Sequence, residues 1–254
     1  ISISTLAPLL KQELAGSVER MPVADGIQAY RSYLEEMRTR VHGMALMDAN
    51  LDERIKDSKS WMLVVKEKGQ ETGFMLYRIE EEKRWQKSIN AEHFYYTTPL
   101  ARMKMLEWIA RHTDQVERTE IHLPPWEHPE LWMVDIKSKM EVSLAHAPMG
   151  RVIDLAMLNG IQSGSGSFSA QIMDPFCPWN EGAWRFDSAN GVLQVERVAS
   201  ADSRLSIQGL SAWLIGSNDP GDFDLRGWGQ IQPGTAGSMR SMLPLAPAYM
   251  YETY

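Results

Sequence analysis

Cysteine is nearly absent: Cys177 is the single one in 254 residues. An internal disulfide is therefore excluded, and the usage fits a reducing, cytoplasmic setting. Nothing basic stands beside Cys177 in sequence to activate it as a nucleophile. Long apolar runs are missing too. None approaches the roughly 18 residues that a membrane span needs, and no signal-peptide pattern opens the sequence. Cations become scarce along the chain. Residues 1–150 hold 20 Lys/Arg against 23 Asp/Glu, residues 151–254 hold 6 against 10, and no lysine follows Lys139. The net charge of −7 argues against nucleic acid and anionic membranes as partners. The shift in composition marks a domain boundary near residue 150, and the length itself favours two domains.

What is present reads as an ordinary globular protein, 44% hydrophobic and 23% charged. Ile1-Ser2-Ile3-Ser4-Thr5-Leu6 alternates like a strand and lacks an initiator Met, so residues 1–17 read as a strand and linker left from something upstream. A short strand follows over Val18–Ala24. Ala29, Tyr30, Tyr33, Leu34 and Met37 fall at helical spacing and predict a helix over about 25–42. Leu51–Ser58 reads as a short helix. Trp61–Lys66 and Gly73–Glu80 form a hairpin across Lys68-Gly69-Gln70-Glu71, and Ala91–Tyr96 a third strand. A helix over 99–113 carries an apolar stripe of Met103, Leu106, Trp108, Ile109 and Ala110, which is core rather than a cofactor box. A strand over 117–123 then meets Pro124–Pro129, which stops regular structure. His122 and His128 with Glu127 and Glu130 fit no metal-site spacing, and the prolines between them deny a common helix face.

Beyond Gly150 the pattern changes. Arg151–Leu155 reads as a strand, Ala156–Ile161 as a short helix, and short alternating strands follow over 168–173, 182–187, 191–198 and 204–208. Helices are expected over 210–215 and 234–245. This order predicts an antiparallel sheet with helices on one side, an α+β arrangement. Gly164-Ser165-Gly166 is not a phosphate loop, because no lysine follows it. There is no G-x-S-x-G elbow. Trp179, Trp184, Trp213 and Trp228 read as core rather than as a sugar-stacking platform.

The order hairpin, third strand, helix, fourth strand over residues 61–123 resembles the core of an acetyl-CoA-dependent N-acetyltransferase of the GNAT class. In such enzymes the turn before the helix carries glycines and an arginine or glutamine. Its bare amides, with the helix dipole, hold the coenzyme's pyrophosphate. Here the turn is Thr97-Thr98-Pro99-Leu100-Ala101-Arg102, without a glycine, and Pro99 removes one donor. The frame is present and the cradle is not.

Taken whole, the chain resembles the enhanced intracellular survival (Eis) family of bacterial N-acetyltransferases. His93-Phe94-Tyr95-Tyr96-Thr97-Thr98-Pro99, with Leu106 and Ile109-Ala110-Arg111-His112-Thr113 after it, resembles the strand–helix unit of that family's degenerate GNAT domain. Gly150-Arg151-Val152-Ile153-Asp154-Leu155 resembles the entry into its last domain, and Asp174-Pro175 with Pro178-Trp179-Asn180-Glu181-Gly182-Ala183-Trp184 its first hairpin. The aromatic tail Met242–Tyr254 is similar to the family's C-terminus.

The resemblance implies a degenerate GNAT-like domain over 18–149 and a sterol-carrier-protein-like domain over 150–254, with 1–17 a remnant of a catalytic GNAT domain that is missing here. Acetyl-CoA would be bound by that missing domain and not by this fragment, which alone would be inactive. The general base of amine acetylation would be the α-carboxylate of Tyr254, with Glu252 as a second anion for cationic amines such as aminoglycosides or lysine side chains. Burial beside Tyr249 and Tyr251 would raise the pKa of a terminal carboxylate into a useful range. The partners implied are the missing domain, an amine substrate and further copies in a homo-oligomer. A sterol-carrier-like module for an apolar ligand and a pure oligomerisation scaffold are the alternatives. Against the former, Phe168, Trp184, Leu193, Leu205 and Trp213 are large enough to fill a lipid tunnel.

Overall fold

The computed structural model describes residues 1–43, 59–83, 86–124, 126–132, 149–246 and 248. They form two compact units, one on residues 1–40 and 59–132, the other on 149–248 together with 41–43.

Unit 1 is a five-stranded sheet in the order β1 (Ser17–Pro22), β2 (Trp61–Glu67), β3 (Gln70–Lys83), β4 (Gln86–Tyr96), β5 (Arg118–Ile121). All neighbours are antiparallel except β4 and β5, which run parallel. The run Met62-Leu63-Val64-Val65 is buried throughout, because both faces of the sheet are covered. On one face helix α1 (Val23–Arg40) lays Tyr30 and Tyr33 against Phe74 and Tyr95. On the other, helix α2 (Pro99–Ala110) packs Ala101, Met105 and Ile109 over Leu63, Met75, Ile89 and Phe94. The hairpin turn is tighter than the sequence predicts. Lys68 and Gly69 alone form it, at φ 51° and 83°, the positive-φ pair of a two-residue hairpin loop.

The strand expected over Ile1–Leu6 is instead part of a 3-10 helix, Ile3–Lys11. Ile3, Leu6 and Leu9 are all buried against the α2 face. Their spacing of three matches the three residues per turn of that helix, whereas an alternating strand would have turned Leu6 away from Ile3. Leu51–Ser58 lies outside the described residues.

Unit 2 is a second five-stranded sheet, in the order β10 (Gly229–Gln230), β9 (Ser203–Ser206), β6 (Gly166–Met173), β7 (Gly182–Ser188), β8 (Gln194–Arg197). It is mixed rather than antiparallel, since β6 and β9 pair in parallel. Phe168, Ala170 and Ile172 alternate inward from β6, joined by Trp184 and Phe186 from β7 and Leu205 from β9. Helices α3 (Ile207–Ile215) and α4 (Pro233–Met242) close this face with Leu210, Trp213, Met239 and Met242. Arg151–Asp154 does not form the expected strand. Side chains rather than a neighbouring strand hold this segment: Val152 N donates to Ser211 Oγ at 3.0 Å and Leu155 N to Asn180 Oδ1 at 3.0 Å.

Candidate functional site

The turn from β4 into α2 is the place where a GNAT frame would meet its coenzyme. Thr98 is the N-cap, and its Oγ1 accepts the Ala101 amide at 3.1 Å. The same hydroxyl donates to Glu67 Oε1, from the end of β2. Thr72 Oγ1 donates to that oxygen as well, at 2.8 Å. Arg102 N bonds back to Thr98 O at 3.3 Å, and Thr97 N to Thr72 O at 2.9 Å. Pro99 has no amide. This leaves Thr98 N–H and Leu100 N–H as the amides of the turn without an acceptor among the described residues. The donor set is that of a capped helix.

Charge around the turn is answered internally. The turn opens on a cleft of about 710 Å³ lined by Tyr33, Arg40, Lys66, Thr72, Thr97 and Thr98, among others. Lys66 pairs with Glu19 at 2.8 Å, and Arg40 pairs with Glu36. The Lys66–Glu19 bond holds the ammonium pKa above its ordinary value. Gly73 brings β3 close beneath the helix: a Cβ there would stand 3.1 Å from Ala101 Cβ and 3.4 Å from Tyr95 O. A larger residue would push the first turn outward.

Arg102 turns onto aromatic rings. Its guanidinium lies over the rings of Tyr96, at 5.4 Å, and Trp132, at 5.0 Å. β4 pairs with β5 only over Ser88–Ala91, so from there to Tyr96 it is paired on its β3 side alone. Such a stretch is an edge that an extended amide ligand could join. Here Trp132 covers its side chains, with its ring 6.0 Å from Phe94 and 6.5 Å from Tyr96. Burial, a hydrogen bond to Glu127 and that ion's charge push the Tyr96 phenol up to about 12, against the opposing pull of Arg102. It stays protonated at neutral pH.

In unit 2 the space between sheet and helices is filled by aromatic rings. Phe168 stacks on Phe186 at 4.6 Å, and Trp213 meets both edge-on at 5.2 and 5.9 Å. Trp213 Nε1 donates to Met239 O at 2.8 Å, and Trp184 Nε1 to Asn180 O at 2.7 Å. Of the four tryptophans expected in the core, Trp184 and Trp213 are buried and Trp228 is half-buried, whereas Trp179 is 54% exposed. Its Nε1 reaches Ile153 O at 2.8 Å, so it braces the surface instead.

The buried polar centre of this unit is Asp174. Its carboxylate accepts from Asn180 Nδ2 at 2.9 Å, from the amides of Cys177 and Phe176 at 3.1 and 3.2 Å, and from Arg151. Burial acts to raise its pKa, but these donors outweigh it and hold the carboxyl below its ordinary value. With every partner structural, the cluster is a pin.

Tyr254 and Glu252, the catalytic and substrate-binding residues expected from the resemblance, lie outside the described residues. His122 and His128 do not converge; His128 instead meets Glu130 at 3.0 Å. Among the described residues no group of three or more His, Cys, Asp or Glu could hold a metal ion, and no helix is long and apolar enough to cross a membrane. Glu67, Thr72 and Trp132 escaped the sequence reading. They stand 31, 26 and 34 positions from the Thr98 cap in sequence, and no local pattern ties them to it.

Residues 43–152 match the family of the acetyltransferase (GNAT) domain, and residues 155–251 match that of the sterol carrier protein domain. The chain thus joins a GNAT acetyltransferase domain to a sterol-carrier-protein-like domain. GNAT domains use acetyl-CoA. No curated protein sequence matches the chain. Among solved structures, a GCN5-related N-acetyltransferase from Kribbella flavida superimposes with a TM-score of 0.76 at 16% identity, covering 100% of this chain and 63% of its own. One from Anabaena variabilis gives 0.77 at 14%, over 98% and 65% of the two chains. Eis1 from Mycobacterium abscessus gives 0.56 at 17%, over 100% and 60%. At these identities the likeness is one of fold. The chain spans under two-thirds of the length of each of these structures.

Proposed function

We propose that this chain is the part of an Eis-type, acetyl-CoA-dependent amine N-acetyltransferase that does not hold the coenzyme. In this reading acetyl-CoA is bound by another GNAT domain, and residues 1–254 shape the substrate pocket of that domain. The observation that carries the proposal is the capped β4–α2 turn, where Thr98 takes the Ala101 and Arg102 amides and its hydroxyl donates to Glu67. The aromatic filling of unit 2 supports it from the other side, because an apolar carrier needs open volume where Phe168, Phe186 and Trp213 interlock.

The chemistry assigned to the chain is that of its last residues. An amine attacks a thioester only when it is neutral, so a base must take its proton. The family resemblance gives that role to the Tyr254 α-carboxylate, with Glu252 attracting a polycationic acceptor such as an aminoglycoside or a lysine side chain. The decisive experiment is extension by one glycine after Tyr254 in the enzyme that contains a coenzyme-binding domain. The extension keeps a carboxylate but moves it by about 3.5 Å. A misplacement of only about 1 Å can cost on the order of 100-fold, so kcat is expected to fall at least that far with folding unchanged. Full activity would remove the terminal carboxylate as base.

A further inference from the structure

Glu67 stands at the end of β2, immediately before the Lys68-Gly69 turn of the hairpin. A charged side chain at a hairpin end ordinarily points to water. This one is half-buried, and one of its oxygens takes two hydroxyl donors, Thr72 Oγ1 and Thr98 Oγ1. The Thr98 hydroxyl in turn accepts the Ala101 amide. The three groups form one directed chain: helix amide to hydroxyl, hydroxyl to carboxylate. Each bond polarises the next, and the chain ends in a full negative charge at the positive end of the α2 dipole.

We propose that Glu67 is a built-in anion that takes the place of a phosphate at this helix N-terminus. The inference rests on the reading above, that this turn holds no coenzyme, and adds a cause to it. Pro99 removes one amide from the turn, the Thr98 hydroxyl takes another, and Glu67 then satisfies electrostatically what is left. Two features fit the assignment. The hydroxyl relay extends the reach of the helix end to a side chain from another strand, as a bare glycine turn could not. Thr97 binds Thr72 O through both its amide and its hydroxyl, at 2.9 and 3.3 Å, which locks the Thr72 donor beside the Thr98 donor.

The test is thermal unfolding of the full 254-residue chain and of its Glu67→Ala and Glu67→Gln variants, each with and without sodium pyrophosphate and at low and high salt. Glu67→Ala is expected to lower Tm by about 2–4 °C, the size of a lost charged cap in a protein of this length. Pyrophosphate should recover part of that loss while leaving the wild type unmoved. Glu67→Gln keeps the shape and the acceptor but not the charge. It should lose less, and the loss should shrink as salt screens the dipole, which keeps the idea testable if the alanine variant does not fold. A Tm equal to wild type in both variants, or a Glu67→Ala chain that gains nothing from pyrophosphate, would overturn the assignment. Stabilisation of the wild type itself by pyrophosphate would instead overturn the parent reading of a closed turn.

Discussion

Helices α2 and α3 begin alike and are finished differently. Each has a hydroxyl N-cap in extended backbone, Thr98 at φ −132° and Ser206 at φ −75°, and each cap accepts the amide three residues on, at 3.1 and 3.3 Å. Behind Thr98 stands the Glu67 carboxylate. Behind Ser206 stand backbone and apolar side chains: Ser206 N donates to Trp228 O at 2.7 Å, and a Cβ on Gly209 would lie 2.8 Å from Leu205 Cδ1 and 3.2 Å from both Trp228 Cβ and Trp228 O. One helix start is answered by charge and the other by steric cover. The same local signal therefore marks where a helix begins and says nothing about what meets its positive end.

The interiors of the two units extend that contrast, and the largest expected effect lies there. Trp213→Ala should cost about 3–5 kcal/mol in denaturant unfolding, as for other buried aromatic truncations, because it interlocks with the rings of Phe168 and Phe186. A loss below 1 kcal/mol would show that the unit 2 layer is not closed by packing.

Asp174→Ala should follow, at on the order of 3 kcal/mol, because it strands Asn180, two amides and Arg151 without their acceptor. Its pH dependence has a definite sign. The folded carboxyl is held below its ordinary value, so its contribution is complete above the unfolded value near 3.9 and is lost as pH falls through the lower folded one. The gap between wild type and variant should narrow below about pH 4. A gap that stays constant from neutral to acid pH would mean the carboxylate is not what holds the pin.

The caps come last and bear on the helix comparison itself. Ser206→Ala should cost about 1 kcal/mol, the usual worth of a neutral cap. Thr98→Ala should cost more, about 1.5–2 kcal/mol, because it also severs the link to a charged acceptor. Equal losses would erase the distinction between the two helix starts.

Much of this was legible in the sequence. The order of strands and helices in unit 1 followed from hydrophobic period and turn residues, and the missing glycines of Thr97–Arg102 were visible without a structure. What was not legible depended on distance along the chain. Ile3, Leu6 and Leu9 could be told from a strand only once the face they cover was known. The parallel pairing of β6 with β9 leaves no mark on alternation, since both senses of pairing share a period of two. The Arg151 segment reads as a strand by residue type, yet side chains of Ser211 and Asn180 hold it. Glu67 reads as an ordinary charged hairpin end, and its role exists only through hydroxyls on β3 and α2.

The most direct measurement is a calorimetric titration of acetyl-CoA into the 254-residue chain. A capped turn with two amides to offer, Thr98 and Leu100, predicts no saturable heat in the micromolar range. A micromolar Kd with one site per chain would contradict it, and would place the coenzyme in the frame that Thr98 and Glu67 close.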